Sequence, residues 1–389
     1  MVIKKNKINK NISLKYLFLI FYKYIIIFFT IILLLIIIII KIKKNSYYKK
    51  LLDIIIYYNF NNHLNDTDSS ELNDIDNKFF FELNQNELNY CLNYGLYVYD
   101  YHYEGKIDFF NIGDYIQSLA ALQYLPKKCK PYLVDRDSIQ FYNGTKIKLI
   151  MNGWHNLNGG NKYVSNKIKP FYISYHLTKS KDMPEEFIKN MNNFSPIGCR
   201  DIQTRNNLIK YGIKAYFSSC LTTTLDIDYR LDKSERTNEI IFIDYKFGDY
   251  PEADKYLFSL EAYNFNKITY ISHMFDINLT HIERLKFASK LLKRYAKAKL
   301  IITTRIHGAL PCLALNTPVI LINKKFDYDR YIGLYELLNT IGINSKKRFE
   351  IRVNINNKGL VYNSKKYLEY SSELKNKLNI FLLIIFFLS

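Results

Sequence analysis

The chain has 389 residues and is 48% hydrophobic, enough for a membrane segment plus one large or two medium globular domains. Its formal net charge of +19 is uneven: the first 50 residues hold 11 lysines and no acidic side chain, and the rest carries 44 basic and 36 acidic groups. A mildly basic body without a recognisable nucleic-acid module speaks against a nucleic-acid partner and suits a small anionic substrate.

The basic tail, residues 1–15, precedes an apolar stretch, 16–42, whose core from Tyr24 to Ile40 is near the lower limit for a bilayer span. Lys23 interrupts its first part and can snorkel. Lys41, Lys43 and Lys44 follow, with no small-residue cleavage site, so a transmembrane signal anchor is expected and not a cleaved signal peptide. Both flanks are basic; a single-pass type II protein with its body in the lumen of the ER or Golgi is the preferred orientation. Asn65, Asn143 and Asn278 then head glycosylation triplets, of a kind that an Asn-rich chain also produces by chance.

Residues 43–90 include an Asn/Asp/Ser-rich stretch and are expected to form a stalk or linker. A first Rossmann-like domain is expected over 91–225 and a second over 226–345, with a C-terminal extension over 346–389. In the first, strands are expected at Leu96–Tyr101, Lys146–Met151, Phe171–Tyr175, Pro196–Cys199 and Ile213–Phe217. Helices are expected at Ile116–Tyr124 and from Asp201 to about Tyr211, the latter capped by Asp201 and stopped by Gly212. In the second, strands are expected at Glu239–Asp244, Lys267–Ser272, Leu300–Thr304 and Thr317–Ile322. Helices are expected at Ile282–Ala296 and Gly308–Leu315. The apolar end, Leu378–Leu388, is too short to span a bilayer and is expected to be a helix packed back onto a domain.

Ligands of open parallel sheets bind beyond the carboxyl ends of strands. Arg305-Ile306-His307 stands at such an end, offering backbone N–H groups, a permanent cation and a titratable imidazole. Arg200 occupies a similar turn in the first half, and two arginine forks suit a ligand with both phosphate and carboxylate. Asn111-Ile112-Gly113-Asp114 precedes the first helix. Gly113 permits a tight turn there, and Asp114 either caps the helix or reaches into a cleft as a base. His273, at another strand end, is an acid/base, a ligand contact or a structural histidine. Trp154 and His155, in the segment Asn152–Asn161, either line an acceptor site or anchor the core. The five cysteines, Cys91, Cys129, Cys199, Cys220 and Cys312, have neither CxxC nor metal-type spacing; buried thiols are expected, with no metal and no disulfide framework.

Four stretches together resemble the polysaccharide pyruvyl transferase family: Asn111–Ala120, Gly198–Thr204, Ser219–Leu225 and Lys299–Ile320. They follow the family's order and cover roughly residues 92–345, with Leu221-Thr-Thr-Thr-Leu225 a minor departure. The resemblance implies two Rossmann-like domains facing a cleft, like the GT-B glycosyltransferases. It implies transfer of pyruvate from phosphoenolpyruvate (PEP) to a sugar of a glycan, with a cyclic ketal and phosphate as products and no cofactor. It also implies that donor-binding positions fall on Arg305, His307 and Arg200, with Ile306 inside the same turn, and that the acid of the Asn-x-Gly-Asp segment falls on Asp114. From the chemistry of PEP, His307 and Asp114 are then expected to act as acid and base, in either assignment. Two rival expectations are a nucleotide-sugar glycosyltransferase on the same architecture and a non-catalytic, membrane-anchored glycan-binding protein.

Overall fold

A computed structural model describes residues 93–387, apart from the short segments 101–109, 127–129, 157–162, 179–182, 226–235, 276–278, 324–330 and 345–347. The expected basic tail, signal anchor and stalk, together with Cys91 and Cys129, lie outside the described residues. Among the described residues no helix is long and apolar enough to cross a membrane. All of them belong to one compact unit, Ser70–Ser389.

The protein is mixed α/β and is built on parallel sheets. The first half contributes β1 (Tyr94–Val98), β3 (Tyr132–Asp135), β4 (Ile147–Met151) and β6 (Ile168–Tyr172), all parallel, in the order β3-β1-β4-β6. Two short parallel pairs extend this half: β5 (Trp154–Asn156) with β7 (His176–Thr178), and β8 (Ile197–Cys199) with β9 (Ala215–Phe217). A parallel bridge from Tyr175 to Cys199 links the two pairs.

The second half holds a six-stranded sheet in the order β11-β10-β13-β14-β15-β16. Its members are β10 (Ile240–Ile243), β11 (Ile268–Ile271), β13 (Leu300–Thr303), β14 (Val319–Asn323), β15 (Asn339–Ile343) and β16 (Phe349–Arg352). Only β16 is antiparallel to its neighbour. The runs Ile-Ile-Phe-Ile of β10 and Leu-Ile-Ile-Thr of β13 are buried throughout, as strands covered on both faces must be. In each half the strand order reverses direction beside the first strand. The reversal lies between β1 and β4 in one half and between β10 and β13 in the other, and crevices open at such points.

Helix α1 (Ile112–Leu122) is buried along ten of its eleven residues. It packs against β1 and against two elements of the second half, α5 (His281–Lys297) and α6 (Ile306–Ala314). Its start is also pinned to the second half. The two-residue strand β2 (Phe110–Asn111) pairs antiparallel with β12 (Met274–Phe275), and the Ile112 amide donates to the His273 carbonyl at 2.9 Å. The remaining helices are α2 (Glu185–Asn193), α3 (Ile202–Lys210), α4 (Pro251–Phe258) and α7 (Tyr367–Phe387).

Several boundaries differ from the sequence expectation for identifiable reasons. The first helix starts four residues early, because Asn111 supplies the cap by accepting from the Gly113 amide at 3.0 Å; Asp114 is an interior residue and not the cap. Gly113 accordingly makes no turn. Residues 154–156, expected in a loop, form a strand, because β7 supplies a partner that Asn-rich surroundings conceal. Asp201 caps α3 by accepting from the Thr204 amide at 2.8 Å, and Gly212 ends it with a left-handed φ of 75°, both as expected. The apolar C-terminus belongs to a helix that begins at Tyr367, eleven residues before the expected stretch. It packs on the first half: Ser371 donates to the Thr223 carbonyl, Tyr370 meets Phe217, and Phe381 stacks on Phe171.

Candidate active site

The crevice between β10 and β13 carries the densest polar chemistry. Asp244 follows β10 with a φ of 49°, a left-handed conformation that Asp tolerates better than most residues. Its amide donates to the Ile271 carbonyl, and its own carbonyl accepts from the Thr304 hydroxyl. The carboxylate accepts from the Ser272 hydroxyl at 2.8 Å, the His273 amide at 3.1 Å and Arg305 Nε at 2.6 Å. Burial alone would raise this carboxyl, but Arg305 and His273, with the hydrogen bonds, hold it below the usual range.

Arg305 is the N-cap residue of α6, and no side chain caps that helix. Its side chain is 37% exposed. With Nε turned to Asp244, Nη1 and Nη2 have no hydrogen-bond partner among the described residues. An arginine edge beside an uncapped helix start is a ready anion site. Ile306 and His307, the first two residues of α6, are buried. Gly308 lies so close to β13 that a Cβ would stand 2.7 Å from Thr303 Oγ1, which fixes how near the helix start sits to the sheet.

Gly113 joins the two halves here. A Cβ on it would lie 3.1 Å from His307 Cβ and 3.3 Å from His273 Nδ1. The glycine lets the start of α1 lie against both histidines without either having to give way. His273 is fully buried, with Nε2 2.7 Å from the Tyr295 hydroxyl and no hydrogen-bond partner at Nδ1. Burial, with Arg305 nearby, pushes its pKa down to about 4 against the opposing pull of Asp244, so it is neutral at pH 7.

On the first-half side, Gln117 is a relay. Its Nε2 donates to Asp114 Oδ1 at 3.0 Å, and its Oε1 accepts from Arg200 Nη1 at 3.4 Å. The Asn152 side chain donates to the Gln117 carbonyl at 2.8 Å. Arg200 is buried, and the turn that carries it is anchored by His176, whose Nδ1 lies 2.6 Å from Asp201 Oδ2. Burial alone would raise the Asp201 carboxyl; His176, Arg200 and the Thr204 amide hold it low.

The structure thus gathers Asn111, Gly113, His273, Arg305, Ile306 and His307 around the start of α6, and links Asp114 to Arg200 through Gln117. Trp154 and His155 are engaged elsewhere. The Trp154 indole donates to Thr178 Oγ1 at 3.1 Å, and the Arg136 guanidinium lies 4.8 Å from the ring. His155 is core: its Nε2 is 2.9 Å from the Tyr97 hydroxyl, and burial together with Arg136 and His176 pushes its pKa down to about 3. Sequence reasoning missed Asp244 and Gln117. The only available signal for Asp244 was an acidic residue at the end of a strand that ends level with the Arg305 strand.

Cys199, Cys220 and Cys312 are free and buried. Among the described residues no group of three His, Cys, Asp or Glu could hold a metal ion.

The protein is thus a mixed α/β protein with arginines and histidines at the ends of its parallel strands. The family model for polysaccharide pyruvyl transferase matches residues 111–324, a span that takes in every one of these site residues. The chain belongs to the polysaccharide pyruvyl transferase family. A crystal structure of a functionally uncharacterised protein from Klebsiella pneumoniae subsp. pneumoniae NTUH-K2044 is similar over 66% of this chain and 95% of that one, at 15% identity and a TM-score of 0.39. No curated protein matches the chain.

Proposed function

We propose that the protein transfers pyruvate from PEP to a sugar residue of a glycan, forming a cyclic ketal and releasing phosphate. The family membership indicates a pyruvyl transferase acting on polysaccharide. The observation that carries the finer reading is the start of α6, where the outward Nη edge of Arg305 adjoins an uncapped helix terminus and His307 follows two residues on. The two sheets are taken as the halves of a GT-B-like cleft, with Arg200 contributing the second cation for a donor that bears both phosphate and carboxylate.

In this reading an acid protonates the PEP methylene, making it a methyl group and leaving C2 cation-like. One sugar hydroxyl adds to C2 and gives up its proton to a base. The C2–O bond to phosphate then breaks, phosphate departs, and a second hydroxyl closes the ketal with loss of its proton. His307 is assigned as the acid and Asp114 as the base, and the reverse assignment uses the same two side chains. PEP is a substrate, and the scheme calls on no resident cofactor.

The test is to incubate the full chain, in mild detergent, with PEP and a panel of aryl glycosides, following phosphate release and product mass. A product heavier by one pyruvate ketal, lost in Arg305→Ala, is expected. No product, with thermal stabilisation by a nucleotide-sugar and none by PEP, would replace this reading with that of a glycosyltransferase.

We also propose a type II membrane placement, resting on the apolar and basic patterning of residues 1–50. Asn143 is exposed in the folded body and heads the triplet Asn-Gly-Thr. Lumenal exposure predicts an electrophoretic shift on deglycosylation that diminishes in Asn143→Gln; an unglycosylated, protease-accessible body in sealed microsomes would refute it.

A further inference from the structure

The geometry points to Asp244 as a positioning residue that presets Arg305 for the donor. This inference deepens the function proposed above and rests on its premise that Arg305 grips the donor anion.

Asp244 is over-determined where it stands. Its backbone is tied on both sides, to Ile271 and Thr304, while its φ of 49° aims the residue away from the path of β10. Both carboxylate oxygens are occupied: Oδ1 by Ser272, Oδ2 by the His273 amide and Arg305 Nε. Most of the acceptor capacity of the carboxylate is thus used inside the protein and not on a ligand. Instead it takes one N–H of the five that a guanidinium offers and leaves the four on the Nη edge. Arg305 is long and 37% exposed, so without this contact its head would sample many rotamers. Held through Nε, it presents a fixed two-point edge beside the start of α6. A donor anion then binds without first having to order the side chain.

The left-handed φ makes clean variants available. Asn and Gly both tolerate that conformation, so Asp244→Asn and Asp244→Gly change the side chain without adding backbone strain. In steady-state kinetics of the full chain, Asp244→Gly is expected to raise the KM for PEP about 10- to 100-fold while kcat falls much less. Asp244→Asn keeps an acceptor for Nε and should recover much of that loss. An unchanged KM in Asp244→Gly, or a fall confined to kcat, would overturn the assignment. If only Asp244→Asn folds, its KM should still rise about threefold or more for loss of the charge, and a KM equal to wild type would overturn it.

A second arm does not depend on PEP. The Arg305 Nε–H resonance, identified by its disappearance in Arg305→Lys, should exchange slowly with water in the wild type and quickly in Asp244→Gly. Equal exchange in the two would refute positioning. Wild-type protein that shows the protection but ignores PEP would refute the donor assignment alone.

Discussion

Replacing His307 with alanine is expected to lower kcat for pyruvyl transfer by about 10²–10⁴-fold, with the KM for PEP changing far less. The expectation follows from where the side chain is held. His307 is buried at the second position of α6, two residues after Arg305, and its Cβ lies against Gly113 of the other half. In the proposed scheme a group so placed serves proton transfer better than binding, because the cationic grip is assigned to Arg305. Single-turnover phosphate release measured alongside steady-state rates separates the two roles. A kcat near wild type would remove His307 as the acid. Asp114→Asn is the companion variant: a comparable loss in kcat would make the two side chains an acid–base pair, in whichever order they act.

The second large effect concerns stability against acid. His155 and His273 are buried and neutral, with pKa values pushed down to about 3 and about 4. In the unfolded chain a histidine titrates near 6.5, so between about pH 6.5 and 4 the unfolded state takes up protons that the folded state refuses. Folding stability should therefore fall as the pH drops through that window, by an amount on the order of several kcal/mol, comparable to the whole stability of many domains. The carboxylates of Asp201 and Asp244, held low in the fold, add their own loss from about pH 5 downward, where unfolded carboxyls begin to protonate. Urea midpoints at pH 7.5, 6, 5 and 4 give the slope. His155→Gln, which cannot titrate, should flatten it. A wild-type midpoint that does not move between pH 7 and 5 would contradict the neutral burial of both rings.

Much of the second half was legible because its strands are covered on both faces and read as short, continuous apolar runs. Ile240–Ile243, Leu300–Thr303 and Val319–Asn323 each fall within about two residues of expectation. Arg305 and His307 were legible for the same reason: the strand end that carries them is unmistakable. The start of α1 was less so. Asn111-Ile112-Gly113 has the composition of a turn; the glycine lies inside a helix because Asn111 caps it locally and the distant His273 and His307 pack against its start. Asp244 shows the same limit. Its role depends on a charge 61 residues away and on a backbone angle, neither of which leaves a local trace. Trp154 and His155 sit in a three-residue strand, too short to show an alternating pattern, whose partner is the equally short His176–Thr178.

The last helix bears on how the molecule is made. Phe171 and Phe217 of the first half are covered by Phe381 and Tyr370, which are translated only after the whole second half. The first half therefore cannot finish its own packing until the second half and α7 have been translated. A protein of this design is poorly suited to fragmentary expression. A truncation near residue 366, made to trim an apolar tail, would strip a wall from the first half of the fold.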